Sequence, residues 1–147
     1  MSVKHYDWTA HHASVRGDKV AIVDLDTGSE VSYAELDERA SKLAGWLQSQ
    51  GLAKGDRVAV LAANCPEIFE TAFACAKIGV ICLPLNWRLT VPELEYILND
   101  SAPKLLISDV KFAREATELM SLCSIELELQ LDVEDAHCSY AAALAAA

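Results

Sequence analysis

Residues 55–109 read GDRVAVLAANCPEIFETAFACAKIGVICLPLNWRLTVPELEYILNDSAPKLLISD, and this stretch decides the fold. It holds three short apolar runs, at 57–63, 80–85 and 105–107, bounded by Gly, Asn, Pro and Asp. None alternates apolar with polar residues, as strands buried on both faces of a parallel sheet do not. The two segments between them have helical spacing. Strand, helix, strand, helix, strand implies right-handed crossovers and a doubly wound, mainly parallel α/β layer. In such a sheet ligands bind outside the carboxyl ends of the strands. Those ends are Asn64-Cys65-Pro66, Asn86-Trp87-Arg88 and Ser108-Asp109, and the functional groups of the chain are expected there.

Working outward, residues 19–24 and 30–32 predict a small hairpin, with turn chemistry in Asp26-Thr27-Gly28-Ser29. A short helix or coil is expected over residues 1–18. Ser32 followed by Glu35 is a capping box that opens a helix, with Leu36, Ala40, Leu43, Ala44 and Leu47 on its core face and Gly51 past its end. Pro66 opens the next helix, whose expected buried stripe is Ile68, Phe69, Ala72, Phe73 and Ala76, closed by Lys77 and Gly79. Thr90 and Glu93 make a second capping box, with Leu94, Ile97 and Leu98 facing inward. Phe112, Ala113, Ala116, Leu119 and Met120 share one face of a further helix. Residues 125–132 alternate strictly, which predicts a half-buried edge strand with one acidic face. The Ala-rich stretch 139–147 reads as a frayed helix.

The 147 residues amount to one domain, with 52% hydrophobic and 23% charged residues. Of the formal charge of −10, −7 falls after Arg114, on Glu115, Glu118, Glu126, Glu128, Asp132, Glu134 and Asp135, with no Lys or Arg. A basic stripe is absent, which argues against nucleic acid as a partner. The start MSVKHYDWTA lacks an apolar signal core and no run approaches the roughly 20 residues of a membrane span. The expectation is a soluble, cytoplasmic chain. The five cysteines, Cys65, Cys75, Cys82, Cys123 and Cys138, form no C-x-x-C pair and read as buried, reduced thiols. Cys65 sits at a helix start, where a thiolate is favoured, yet no histidine accompanies it in sequence. His11 and His12 read as a surface pair, not as metal ligands, and no metal site is expected. Neither G-x-G-x-x-G nor G-x-x-x-x-G-K-[ST] occurs.

The signatures Ser32-Tyr33-Ala34-Glu35-Leu36, Gly55-Asp56-Arg57-Val58-Ala59-Val60, Gly79-Val80 leading to Pro84-Leu85-Asn86, Arg88-Leu89 and Glu93-Leu94, in this order and spacing, resemble the N-terminal part of the adenylate-forming (AMP-binding) ligases. The similarity is greatest to fatty-acyl-CoA and related acyl-CoA synthetases and covers residues 8–145. It implies that ATP, with Mg2+, and a carboxylic acid give an acyl-adenylate and pyrophosphate, after which coenzyme A forms the thioester and AMP leaves. It also implies that residues 1–147 are one N-terminal subdomain, cut before the Ser/Thr/Gly-rich phosphate loop, whose partner is the remainder of the ligase chain. No catalytic residue is then expected here, and none of the cofactors should bind tightly to this chain alone. The one site residue carried over is Arg88, in the turn Asn86-Trp87-Arg88-Leu89. The family resemblance makes it a contact for a phosphate of coenzyme A; the residues by themselves also fit a surface arginine paired with Glu93 or Glu95. Trp87 fits either an adenine platform or packing beside Pro84, and Asn86 a turn cap. The alternative to a ligase fragment is a stand-alone, non-catalytic α/β binding module.

Overall fold

The computed structural model describes residues 7–131 and 139–146. Residues 1–6, Asp132, Glu134, Asp135, Cys138 and Ala147, about which the sequence carries expectations, lie outside the described residues. The chain opens with α1 (Trp8–Arg16), the antiparallel hairpin β1 (Val20–Val23) and β2 (Glu30–Ser32), and α2 (Tyr33–Ser49). Strands and helices then alternate: β3 (Arg57–Leu61), α3 (Pro66–Ile78), β4 (Ile81–Pro84), α4 (Val91–Ser101), β5 (Leu105–Asp109), a 3-10 turn (Val110–Phe112), α5 (Ala113–Leu122), β6 (Leu127–Leu131) and α6 (Tyr140–Ala145). Strands β3 to β6 pair in parallel in the order β4-β3-β5-β6. This is the doubly wound sheet that the unalternating apolar runs predict.

The reason is visible residue by residue. In β3, Val58 and Val60 pack with Leu43 and Leu47 of α2, Ala74 and Cys75 of α3 and Leu144 of α6. Ala59 and Leu61, between them, pack with Leu94 and Leu98 of α4 and Ala116 and Leu119 of α5. A strand covered on both faces must be apolar at every position. Strands β4 and β5 flank β3 on opposite sides, so crossovers of one hand must send α3 and α4 to opposite faces, as they do. Strand β6 keeps its alternation and lies at the sheet edge, with Leu129 and Leu131 buried.

Both capping boxes form. Glu35 accepts from the Ser32 amide at 2.8 Å while Ser32 Oγ accepts from the Glu35 amide at 3.2 Å, and Glu93 accepts from the Thr90 amide at 2.8 Å. All five residues expected on the core face of α2 are buried. Gly79 ends α3 at φ 74, where a Cβ would approach within 3.0 Å of Lys54 Cγ. Helix α1 is tied down by Lys77, whose Nζ lies 2.8 Å from Asp7 and 2.6 Å from Asp37.

Two expectations need correction. The buried face of α3 is Glu70, Thr71, Ala74 and Cys75, and Phe69 is 53% exposed. This helix is apolar nearly all round, so its phase is set by close approach to α2 and the sheet, which selects small residues. Glu70, 1% exposed, is partnered on both oxygens: Arg39 Nε of α2 lies 2.5 Å from one and Tyr140 OH of α6 donates to the other at 2.9 Å. Burial and the adjacent carboxylate push the Tyr140 phenol well up. The second correction is α6, which is docked and not frayed: Tyr140, Ala143 and Leu144 are buried, and Ser139 caps it through the Ala142 amide.

The triad makes a stability prediction. Arg39→Met leaves a buried carboxylate without its cation and should cost about 3 kcal/mol, because that partner is itself partly solvated. Tyr140→Phe should cost about 1.5–3 kcal/mol through one lost hydrogen bond to a charge. In urea unfolding the double variant Arg39→Met with Glu70→Met should be milder than Arg39→Met alone. Equal or greater loss in the double variant would show that the pair is not the source of the effect.

Candidate functional site at the carboxyl end of the sheet

Helix α3 leaves the carboxyl end of β3 toward one face of the sheet, and the chain after β5 leaves toward the other. The two turns therefore diverge and open a crevice at the switch point. It has a volume of about 250 Å3, with Asn64, Cys65, Pro66 and Glu67 on one wall and Asp109 and Lys111 on the other. The β1–β2 turn, through Asp24, Asp26, Thr27 and Ser29, forms its rim. So two of the three turns expected from the sequence come together. Asp24 accepts from the Asp26 amide and the Thr27 hydroxyl, each at 2.9 Å, which holds its carboxyl below the usual range. Asp109, 5% exposed, accepts from the Lys111 amide at 2.9 Å and lies 3.8 Å from Lys111 Nζ. Ser108 is fully buried, and its hydroxyl has no hydrogen-bond partner among the described residues.

Cys65 is the N-cap of α3 but makes no side-chain capping bond. The expected thiolate preference is overturned: burial, followed by the charge of Glu67, pushes its thiol up to about 12. Half-desolvation outweighs the helix dipole here. Among the described residues no group of three or more His, Cys, Asp or Glu side chains could hold a metal ion. His12 packs between rings, 5.2 Å from His11 and 5.1 Å from Tyr33.

The third turn, after β4, lies outside the crevice. Asn86 Oδ1 accepts from the Arg88 amide at 3.1 Å, so Asn86 caps the turn as expected. Arg88 is exposed and, among the described residues, pairs with no carboxylate. Neither expected partner, Glu93 or Glu95, forms an ion pair with it, and Glu93 is occupied by the Thr90 hydroxyl and amide. The Arg88 guanidinium carbon instead sits 4.3 Å from the centroid of the Trp87 ring. Trp87 stacks on Phe112, at 5.9 Å between centroids and 30° between planes. That stack joins the β4–α4 turn to the β5–α5 turn across the end of β3. Sequence reading missed it because Phe112 fits the core stripe of α5; two aromatics at the carboxyl ends of strands on either side of β3 were the available signal.

The model of the family described as AMP-binding enzyme matches residues 9–146. The chain belongs to that family. It is 44% identical over 92 residues to a feruloyl-CoA synthase of Amycolatopsis sp, covering 63% of this chain and 19% of that protein. It is 34% identical over 128 residues to a 2-succinylbenzoate–CoA ligase of Oceanobacillus iheyensis, covering 87% of this chain and 26% of that protein. The N-terminal domain of FACL13 from Mycobacterium tuberculosis superposes with a TM-score of 0.88 at 29% identity, covering 99% of this chain and 36% of that one. This AMP-binding family chain thus spans about a fifth to a quarter of the length of the curated relatives it matches.

The Cys65 environment predicts slow alkylation. Raising a thiol from 9.0 to about 12 removes most of its thiolate at pH 8, and the greater intrinsic nucleophilicity of the remainder restores only part. The net expectation is a rate about fiftyfold below that of a free cysteine. Peptide mapping after timed iodoacetamide treatment reads this directly. Cys65 reacting as fast as a free thiol would show that burial does not govern it.

Proposed function

We propose that this chain is the N-terminal lobe of a cytoplasmic acyl-CoA synthetase and that Arg88 contacts a phosphate of coenzyme A. In the proposed reaction ATP and a carboxylic acid give an acyl-adenylate and pyrophosphate, and the thiol of coenzyme A then displaces AMP. The reading rests on the relatives, named as CoA ligases, and on one geometric observation. Arg88 presents an exposed guanidinium with no carboxylate partner among the described residues, in the turn after a parallel strand. A guanidinium in that state fits a phosphate, because its N–H donors remain available. Nothing comparable among the described residues marks a site for ATP or Mg2+, and the sequence contains no Ser/Thr/Gly-rich phosphate loop. ATP and its Mg2+ would be held by segments supplied by the remainder of a ligase chain. The described lobe therefore contributes a scaffold, a crevice wall and one phosphate contact.

Two measurements test this. The purified 147-residue chain should catalyse no carboxylic-acid-dependent exchange of pyrophosphate into ATP, and robust exchange would contradict the lobe reading. In a ligase that carries these residues, Arg88→Ala should raise the coenzyme A KM about ten- to a hundredfold, the loss of a charge-assisted contact worth roughly 1.5–3 kcal/mol. The contact is remote from the thiol and made equally in ground and transition states, so kcat should hold. Pyrophosphate exchange uses no coenzyme A and should also hold. An unchanged KM would return Arg88 to a surface role, and parallel loss of exchange would make it a folding residue.

A further inference from the structure

Arg88 raises a physical question that the proposed phosphate contact does not answer. An exposed arginine carries substantial rotamer entropy, and a ligand must immobilise it. Proteins usually fix such a side chain with a carboxylate, but a carboxylate would occupy the same N–H donors that a phosphate needs. Here the carboxylate at hand, Glu93, is taken by its own capping box. What holds the guanidinium is an aromatic face, Trp87, 4.3 Å from its central carbon.

We propose that Trp87 is the positioning residue for Arg88, acting from a seat on Phe112, and not a stacking platform for a nucleobase. The proposal rests on the reading of Arg88 as a phosphate contact. A ring face attracts the flat side of a guanidinium through its quadrupole. The N–H donors point outward in the guanidinium plane and stay free for phosphate oxygens. Both ends of Arg88 are thereby constrained: its backbone amide by Asn86 Oδ1 at 3.1 Å, its head by Trp87. Trp87 is 39% exposed and could not orient another side chain unless it were itself held. The hold comes from Phe112, stacked at 5.9 Å and packed against the core cluster beneath α4 and α5. The sheet interior thus fixes Phe112, Phe112 fixes Trp87, and Trp87 fixes the guanidinium before any ligand arrives.

The test is NMR of the 147-residue chain, following the Arg88 Nε–Hε resonance during titration with coenzyme A and, separately, dephospho-coenzyme A. In the wild type the resonance should move saturably with coenzyme A at millimolar concentration. Trp87→Leu should weaken binding about two- to fivefold, the size of an exposed cation–π contact, while Trp87→Phe keeps most of it. In an Arg88→Ala background, followed by the backbone amides of residues 86–90, Trp87→Leu should have no further effect. The wild type alone gives a second readout, which needs no variant to fold: the heteronuclear NOE of Arg88 Nε–Hε should approach that of the backbone. A resonance unmoved by coenzyme A, or Arg88→Ala binding as wild type, overturns the phosphate contact and this inference with it. Wild-type binding by Trp87→Leu, or an NOE typical of a free side chain, overturns the positioning role alone. A loss from Trp87→Leu that persists in the Arg88→Ala background means that Trp87 touches the ligand itself, which also overturns it. A response to coenzyme A but not to dephospho-coenzyme A assigns the contact to the 3′-phosphate; equal responses assign it to the diphosphate.

Discussion

The structure depends on the burial of β3 and β5 on both faces. Val58, Ala59, Val60 and Leu61 each have 3% or less of their surface exposed, and Leu105, Leu106 and Ile107 have none. Each such residue contributes on the order of 1.5–3 kcal/mol if fully buried, but only when helices cover both sides. That requirement fixes the two-layer placement of α2, α3 and α6 against α4 and α5. It also forces the turns after β3 and β5 apart, which opens the crevice. The position of the candidate site is therefore a consequence of the packing of the core and not a separate feature.

Polar groups inside this frame locate elements that hydrophobic burial alone would leave undetermined. Glu70 joins α2, α3 and α6 through Arg39 and Tyr140. Lys77 joins α1 and α2 to α3 through Asp7 and Asp37. A displaced helix would strand the buried Glu70 carboxylate in one case and the half-buried Lys77 ammonium in the other, so both networks specify register as much as they stabilise it. Their result is a layer of helices, α1, α2, α3 and α6, held in register with one another.

Much of this was legible in the sequence because it rests on local signals. The Ser32/Glu35 and Thr90/Glu93 boxes fix helix starts, and Gly79 fixes an end. The apolar runs identify strands buried twice over. The phase of α3 was not legible: a helix bearing Ile68, Phe69, Ala72, Phe73, Ala74, Cys75, Ala76 and Ile78 offers several apolar stripes, and only tertiary contact chooses among them. The pairing of Glu70 with Tyr140 spans 70 residues and leaves no periodic trace. Outside the crevice, Arg88, whose phosphate contact is a proposal, was readable as a residue of the turn that follows β4. What restrains it was not, because Trp87 and Phe112 meet only once β4 and β5 flank β3. The high pKa of Cys65 was hidden for the same reason, since a helix start is read locally and burial is not.

The central proposal is a doubly buried sheet that holds a phosphate-binding arginine at one of its carboxyl-end turns. Hydrogen–deuterium exchange of the chain with and without coenzyme A tests that claim most directly. The amides of 57–61 and 105–109 should exchange slowest in both states, well behind those of the β1–β2 hairpin. Coenzyme A should add protection confined to 86–90 and 110–114, the two turns joined by the Trp87–Phe112 stack. Protection at those turns against a slow β3–β5 background would support the account. Fast exchange in β3 and β5, or ligand protection that appears elsewhere and spares residues 86–90, would contradict it.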